Sequence, residues 1–84
     1  MHLDRTFTFL GARTYLQSAS LFDDLLELRG ADTTAIDMKF HRQTGNQVSY
    51  VDALPSPAIE PVAEWRDSRG TIHVIERDDP ITES

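Results

Sequence analysis

The sequence contains no cysteine, which excludes disulfides, thiolate metal sites and cysteine nucleophiles together. It also lacks any run of about 18 apolar residues, the length that a membrane-spanning helix needs. The first ten residues mix charged and polar side chains with apolar ones, so they do not resemble the apolar core of a signal peptide. We therefore expect a cytoplasmic protein with no membrane partner.

The sequence motifs of common cofactor and catalytic sites are missing as well. The four glycines stand singly and form neither a dinucleotide-binding fingerprint nor a phosphate-binding loop, and no serine lies in a nucleophile elbow. The three histidines, His2, His41 and His73, are far apart and lack the short spacing of metal ligands. The sequence therefore predicts no catalytic residues, no metal site and no cofactor.

The composition limits both the partners and the size of the core. Eight basic residues face 14 acidic ones, and the formal net charge of −6 repels phosphate backbones, which disfavours nucleic-acid binding. With 84 residues the chain is too short for two cores, and so small a core favours contact with a partner. We expect one domain over residues 1–84 that binds a protein partner. A second copy of the chain, in a homodimer, is one such partner.

A strand and a helix are predicted in the first 30 residues. Leu3, Phe7 and Phe9 alternate with polar residues as in a half-buried strand, and only Arg5 falls on the apolar face. From residue 20 the spacing becomes helical, with an apolar stripe at Leu21, Leu25 and Leu28 and with Phe22 and Leu26 beside it.

Residue types that favour helix ends border this stripe. Ser20 is the predicted N-cap, and Arg29 and Gly30 are typical of a helix C-terminus. The outward face is expected to carry the solvated acidic residues Asp23, Asp24 and Glu27. The pattern of residues 12–19 fits a further helical turn and a loop equally well.

A β-hairpin is predicted in the middle of the chain. Apolar and polar residues alternate over residues 36–40 and 48–54, and Gly45 and Asn46 between them suit a type II′ turn. This register places apolar residues on one face and polar residues on the other. The predicted pairs are Phe40 with Val51, Met38 with Ala53, Lys39 with Asp52, and His41 with Tyr50.

A second hairpin is predicted after a proline-rich connection. Three prolines within residues 55–61 predict an extended loop that crosses the sheet. Residues 62–66 and 71–77 then form two strands, and pairing Arg66 with Thr71 brings Trp65 beside Ile72. We expect Trp65 on the helix-facing side, packed near Phe22 or Leu25.

The predicted fold is therefore α+β: a single helix packed on a four- to five-stranded antiparallel sheet in the order β-α-β-β-β-β. Residues 78–84 are expected to form a frayed tail.

Two hypotheses for function follow from the predicted sheet. The first is a non-enzymatic, homodimeric protein-interaction domain whose outer sheet face or edge strand meets the partner. Its predicted interface residues are Val48, Val62 and Ile75.

The second hypothesis is a small-molecule binding protein or small enzyme with a site at the helix-sheet or dimer interface. Its predicted ligand-binding residues are His41, Arg42 and Tyr50, with Lys39 and Asp52 nearby. A concave pocket that is lined by apolar groups and contains His41 or Arg42 would favour this hypothesis, whereas a flat polar face would favour the first.

Overall fold

The computed structural model describes residues 2–9, 18–30 and 32–83. Within them the chain forms a five-stranded antiparallel sheet, a pair of two-residue strands and one helix. The elements are β1 (His2–Asp4), β2 (Thr8–Phe9), α1 (Ser18–Arg29), β3 (Asp37–Phe40), β4 (Asn46–Val51), β5 (Ala63–Asp67), β6 (Gly70–Pro80) and β7 (Thr82–Glu83).

The large sheet has the strand order β1-β4-β6-β5-β3, and every neighbouring pair is antiparallel. This confirms the predicted α+β class, with one helix and a five-stranded sheet. The predicted first strand is divided, because β2 leaves the large sheet and pairs in parallel with β7. β6 is the central strand, and among the described elements β1 and β3 form the two edges of the sheet.

The β5–β6 hairpin has the predicted register. Arg66 lies opposite Thr71 and Trp65 opposite Ile72, although the turn is tighter than expected because Asp67 and Gly70 also pair. Gly70 has a φ of 140°, a conformation that a side chain would disfavour. The prediction that Trp65 lies on the helix-facing side near Phe22 is also confirmed, because Trp65 is fully buried and its ring contacts that of Phe22.

The predicted hairpin around Gly45 and Asn46 is wrong. β3 pairs with β5, so Phe40 faces Ala63 and Lys39 faces Glu64, and both β5 and β6 lie between β3 and β4. Residues 41–45 run across the end of the sheet instead of forming a tight turn. Asn46 is the first residue of β4.

The described helix begins at Ser18, so the last two residues of the segment 12–19, which the sequence left open between helix and loop, are helical. Ser20 therefore lies in the first turn and is not the N-cap. The C-terminal prediction agrees with the structure: Gly30 follows the last helical residue with a φ of 107°, and its N–H donates to the carbonyl of Leu26 at 2.8 Å. Residues 12–17 and Gly11 lie outside the described residues.

The core lies between α1 and one face of the sheet. Leu21 and Leu25 supply the helix side and are fully buried. Trp65 is also fully buried, and its ring centroid lies 5.4 Å from that of Phe22. The sheet side is completed by Val48, Tyr50, Val62, Ala63, Ile72 and Val74.

A polar triad links Arg5, the residue after β1, with β4 and α1, and it explains the arginine that broke the strand pattern. Arg5 donates two hydrogen bonds to Asp24, at 2.9 and 2.6 Å, and the hydroxyl of Tyr50 donates to the same carboxylate at 2.6 Å. Asp24 therefore faces the sheet, and the prediction that it faces the solvent is wrong. Burial alone raises the pKa of the Asp24 carboxyl, but the bonds from Arg5 and Tyr50 outweigh burial and lower it.

The residues from 78 to 83 belong to strands or to the core: β6 continues the large sheet and β7 pairs with β2. β6 continues to Pro80, and Ile81 belongs to the core with 6% of its surface exposed. The N–H of Ile81 also donates to the carbonyl of Gly45 at 2.8 Å. The expectation of a frayed tail from residue 78 is therefore wrong over residues 78–83.

Candidate functional site

The structure separates the five predicted ligand-binding residues. Tyr50 is fully buried on the helix side of the sheet, where it binds Asp24. Asp52 lines a cavity of about 350 Å³ beside Arg69 and the start of β6. Only Lys39, His41 and Arg42 stay together, at the end of β3. The physical reason is the register, because β4 pairs with β1 and β6 and its residues do not face β3.

The predicted interface residues are not at the surface. Val48 and Val62 are fully buried in the core beneath α1, so the expectation that they lie on an outer face is wrong. Ile75 does lie on the face away from the helix, beside Ser49, but only 8% of its surface is exposed. Sequence alternation cannot separate these faces, since four consecutive residues of β4, residues 48–51, are all buried.

A polar cavity of about 400 Å³ contains two of the predicted residues, His41 and Arg42. Glu60, Pro61 and Glu64 complete its lining. The guanidinium of Arg42 lies 3.3 Å from a carboxylate oxygen of Glu76 and donates to the carbonyl of Glu60 at 3.4 Å. The cavity thus brings the Arg42 guanidinium and the His41 imidazole close to the carboxylates of Glu60 and Glu64, but its lining does not include Tyr50.

Glu64 lies between two histidines at the edge of this cavity. Its Oε1 is 3.7 Å from Nε2 of His41 and 4.0 Å from Nδ1 of His73. The Nδ1 of His73 is buried and has no hydrogen-bond partner in the described part of the chain. Over residues 2–9, 18–30 and 32–83, no group of three or more histidine or acidic side chains is placed to hold a metal ion.

A second surface feature is an apolar groove between α1 and the edge strand β3. It has a volume of about 410 Å³, and its apolar lining consists of Ala19, Phe22, Ile36, Met38 and Phe40, with Asp37 at the side. Phe22 leaves 37% of its surface exposed although its ring rests against Trp65. No strand in the described part of the sheet pairs with the outer edge of β3. We call this groove and the free edge together the β3 edge site.

The residues of the β3 edge site are visible in the sequence, but their pattern does not identify them as a site. The sequence places Phe22 beside the apolar stripe of the helix, and it places Met38 and Phe40 in a strand that is expected to pair with β4. An unpaired edge becomes visible only when the strand order is known, because free backbone N–H and C=O groups leave no signature in the sequence.

Comparison with known proteins assigns the chain to no class, because no protein-family model, no curated protein and no solved structure matches it. The helix that the structure describes is too short to cross a bilayer.

Proposed function

We propose that this chain is a non-enzymatic protein-interaction domain and that it binds its partner at the β3 edge site. The observation that carries the proposal is that the β3 edge, which no described strand covers, lies beside an apolar groove. Proteins that recognise a partner by strand addition use these two features together: main-chain hydrogen bonds along the edge give affinity, and side-chain pockets beside it give specificity.

Energetics supports this location over the rest of the described surface. Three large apolar side chains are markedly exposed: Phe22, Leu28 and Ile59, at 37, 41 and 37%. Of these, Phe22 lies in the groove of the β3 edge site together with four other apolar side chains. Removing apolar surface from water contributes about 25 cal/mol per Å², so a partner gains most where such surfaces are contiguous.

The Phe22→Asp variant is expected to lose the partner, whereas Leu28→Asp is expected to retain it. Both changes place one new carboxylate on α1 at a residue of similar exposure. Of the two residues, Phe22 lines the groove and also contacts Trp65. Each variant and the wild-type chain would be immobilised, and proteins captured from a lysate of the source cells would be quantified by mass spectrometry. A groove-dependent partner should fall roughly tenfold or more with Phe22→Asp, as expected from one buried phenylalanine.

Circular dichroism would confirm that both variants are folded. The Ala19→Glu variant keeps the test decisive if Phe22→Asp unfolds, because it places a charge in the groove and leaves the contact between Phe22 and Trp65 intact. Equal capture by wild type and both groove variants, or equal loss with Leu28→Asp, would contradict the proposal.

The cavity at His41 and Arg42 favours a second candidate function, the binding of a small zwitterion. A ligand carboxylate would meet His41 and Arg42 while its ammonium group meets Glu60 and Glu64.

We expect saturable NMR shifts of the His41 and Glu64 amides when single amino acids are added at millimolar concentration. Arg42→Ala should abolish these shifts, and Arg66→Ala, at an exposed arginine outside the cavity lining, should not. Linear, unsaturated shifts for all amino acids would exclude this candidate.

A further inference from the structure

We infer that the occupant of the β3 edge site is a second copy of this chain, paired antiparallel through β3 about a two-fold axis at Met38. This inference rests on the proposed function, since it names the partner of the same site. It starts from the charges that flank Met38: Asp37 on one side and Lys39 on the other.

Antiparallel pairing of two β3 strands about Met38 brings unlike charges together. Asp37 of each chain then lies opposite Lys39 of the other, and Met38 lies opposite its own copy. On the groove face, Ile36 of each chain lies opposite Phe40 of the other. The segment is thus complementary to itself in charge and in apolar pattern, as an isologous interface requires.

The neighbouring registers lack this complementarity. Sliding one strand by two residues keeps the groove faces aligned, but it places Asp37 opposite Asp37 or Lys39 opposite Lys39, and like charges directly opposite are destabilising. A slide by one residue moves the apolar side chains to the charged face. Of the registers close to the strand centre, the one about Met38 therefore combines matched faces with matched charges.

The adjacent strand extends the same charge pattern. Within one chain, β5 places Arg66 opposite Asp37 and Glu64 opposite Lys39. A dimer through β3 would extend these charge pairs across the interface. Arg66 and Asp37 of one chain would be followed by Lys39 and Glu64 of the second copy, so that the charges alternate in sign along the row. The two sheets would become one sheet of ten strands, and the two grooves would cover each other's Phe22 and Met38 side chains.

Charge exchange tests the register directly. Asp37→Lys and Lys39→Asp should each weaken the dimer roughly tenfold or more, because each variant replaces two attractive cross-strand pairs with two repulsive ones. An equimolar mixture of the two variants should regain the dimer as a heterodimer, in which every lysine faces an aspartate. Analytical ultracentrifugation over a concentration series would measure the dissociation constants.

The mixture is its own control for folding and for net charge. Each variant has the same internal contacts alone and mixed, so only pairing between chains changes. The two substitutions also shift the net charge of −6 in opposite directions, yet both should weaken association. Asp23→Lys, at an exposed helix residue, has the same charge change as Asp37→Lys and should leave the dimer intact.

The outcomes separate this inference from the proposed function. A wild-type chain that stays monomeric, with capture of a different protein that still depends on Phe22, would overturn the second-copy inference and leave the interaction site in place. A dimer that neither variant weakens, or that the mixture does not restore, would overturn the register about Met38. A monomeric chain whose capture of other proteins is insensitive to Phe22 would overturn both.

Discussion

The Trp65→Ala variant is expected to lose about 3–5 kcal/mol of unfolding free energy. Trp65 is the sole tryptophan and is fully buried. It lies on β5 between Met38 of β3 and Ile72 of β6, and α1 covers it through Phe22. A chain of 84 residues has a total stability of about 4–12 kcal/mol. The variant should therefore lose a large share of its stability, and it should be unfolded at 25 °C if the wild type lies at the lower end of that range.

Urea unfolding followed by circular dichroism would measure this loss, since the variant has no tryptophan to report fluorescence. Two further variants, with smaller expected losses of unfolding free energy, provide the comparison. Trp65→Phe keeps an aromatic ring but loses the indole N–H that donates to Asp67 at 2.8 Å, and should cost about 1–3 kcal/mol. Leu28→Ala changes an exposed helix residue and should stay within about 0.5 kcal/mol of wild type. A midpoint for Trp65→Ala near that of Leu28→Ala would refute the core position.

The hairpin that contains Trp65 was predictable because its information is local. A short turn at residues 67–70 and two alternating strands define one register, and that register puts Trp65 beside Ile72. The position of β3 was not predictable in this way. Met38 and Phe40 match the apolar face of β5 as well as that of β4, and sequence adjacency favoured the wrong partner.

The candidate sites depended on that non-local pairing. His41 and Arg42 remain together because they are neighbours in sequence, whereas Tyr50 lies on the other face of the sheet. Asp24 was expected in solvent, since the helix pattern alone could not show that Arg5 and Tyr50 lie beneath it. Tertiary partners of this kind change the environment of a residue without changing the local pattern.

The carboxylate of Asp67 joins three parts of the fold, and its side chain is fully buried. Its Oδ2 accepts the indole N–H of Trp65 at 2.8 Å and lies 3.0 Å from Nε of Arg29 at the end of α1. Its Oδ1 accepts the backbone N–H groups of Arg69 and Gly70, at 2.8 and 3.2 Å. The carboxylate therefore fixes the β5–β6 turn, the orientation of the tryptophan and the helix terminus together.

These contacts determine the charge state of Asp67. Burial raises the pKa of the carboxyl, but the bond from Trp65, the two backbone N–H groups and the charge of Arg29 outweigh it, so the pKa lies below its ordinary value. Because the folded-state pKa is lower than the unfolded-state value, the carboxylate stabilises the fold fully above about pH 4. That contribution is lost as the pH falls through the folded-state pKa.

Asp67→Asn is therefore expected to be destabilising at pH 7 and progressively less so in acid. At pH 7 it should cost about 3 kcal/mol, the lower end for breaking a buried ion pair, because the Arg29 side chain is 21% exposed and can regain some water. Urea unfolding from pH 7 to pH 2 would follow the difference between wild type and variant, with Asp23→Asn on the exposed helix face as the control, expected within about 0.5 kcal/mol of wild type. A pH-independent difference would contradict the role of the carboxylate charge, and a loss at pH 7 no larger than that of the control would contradict its role in the fold.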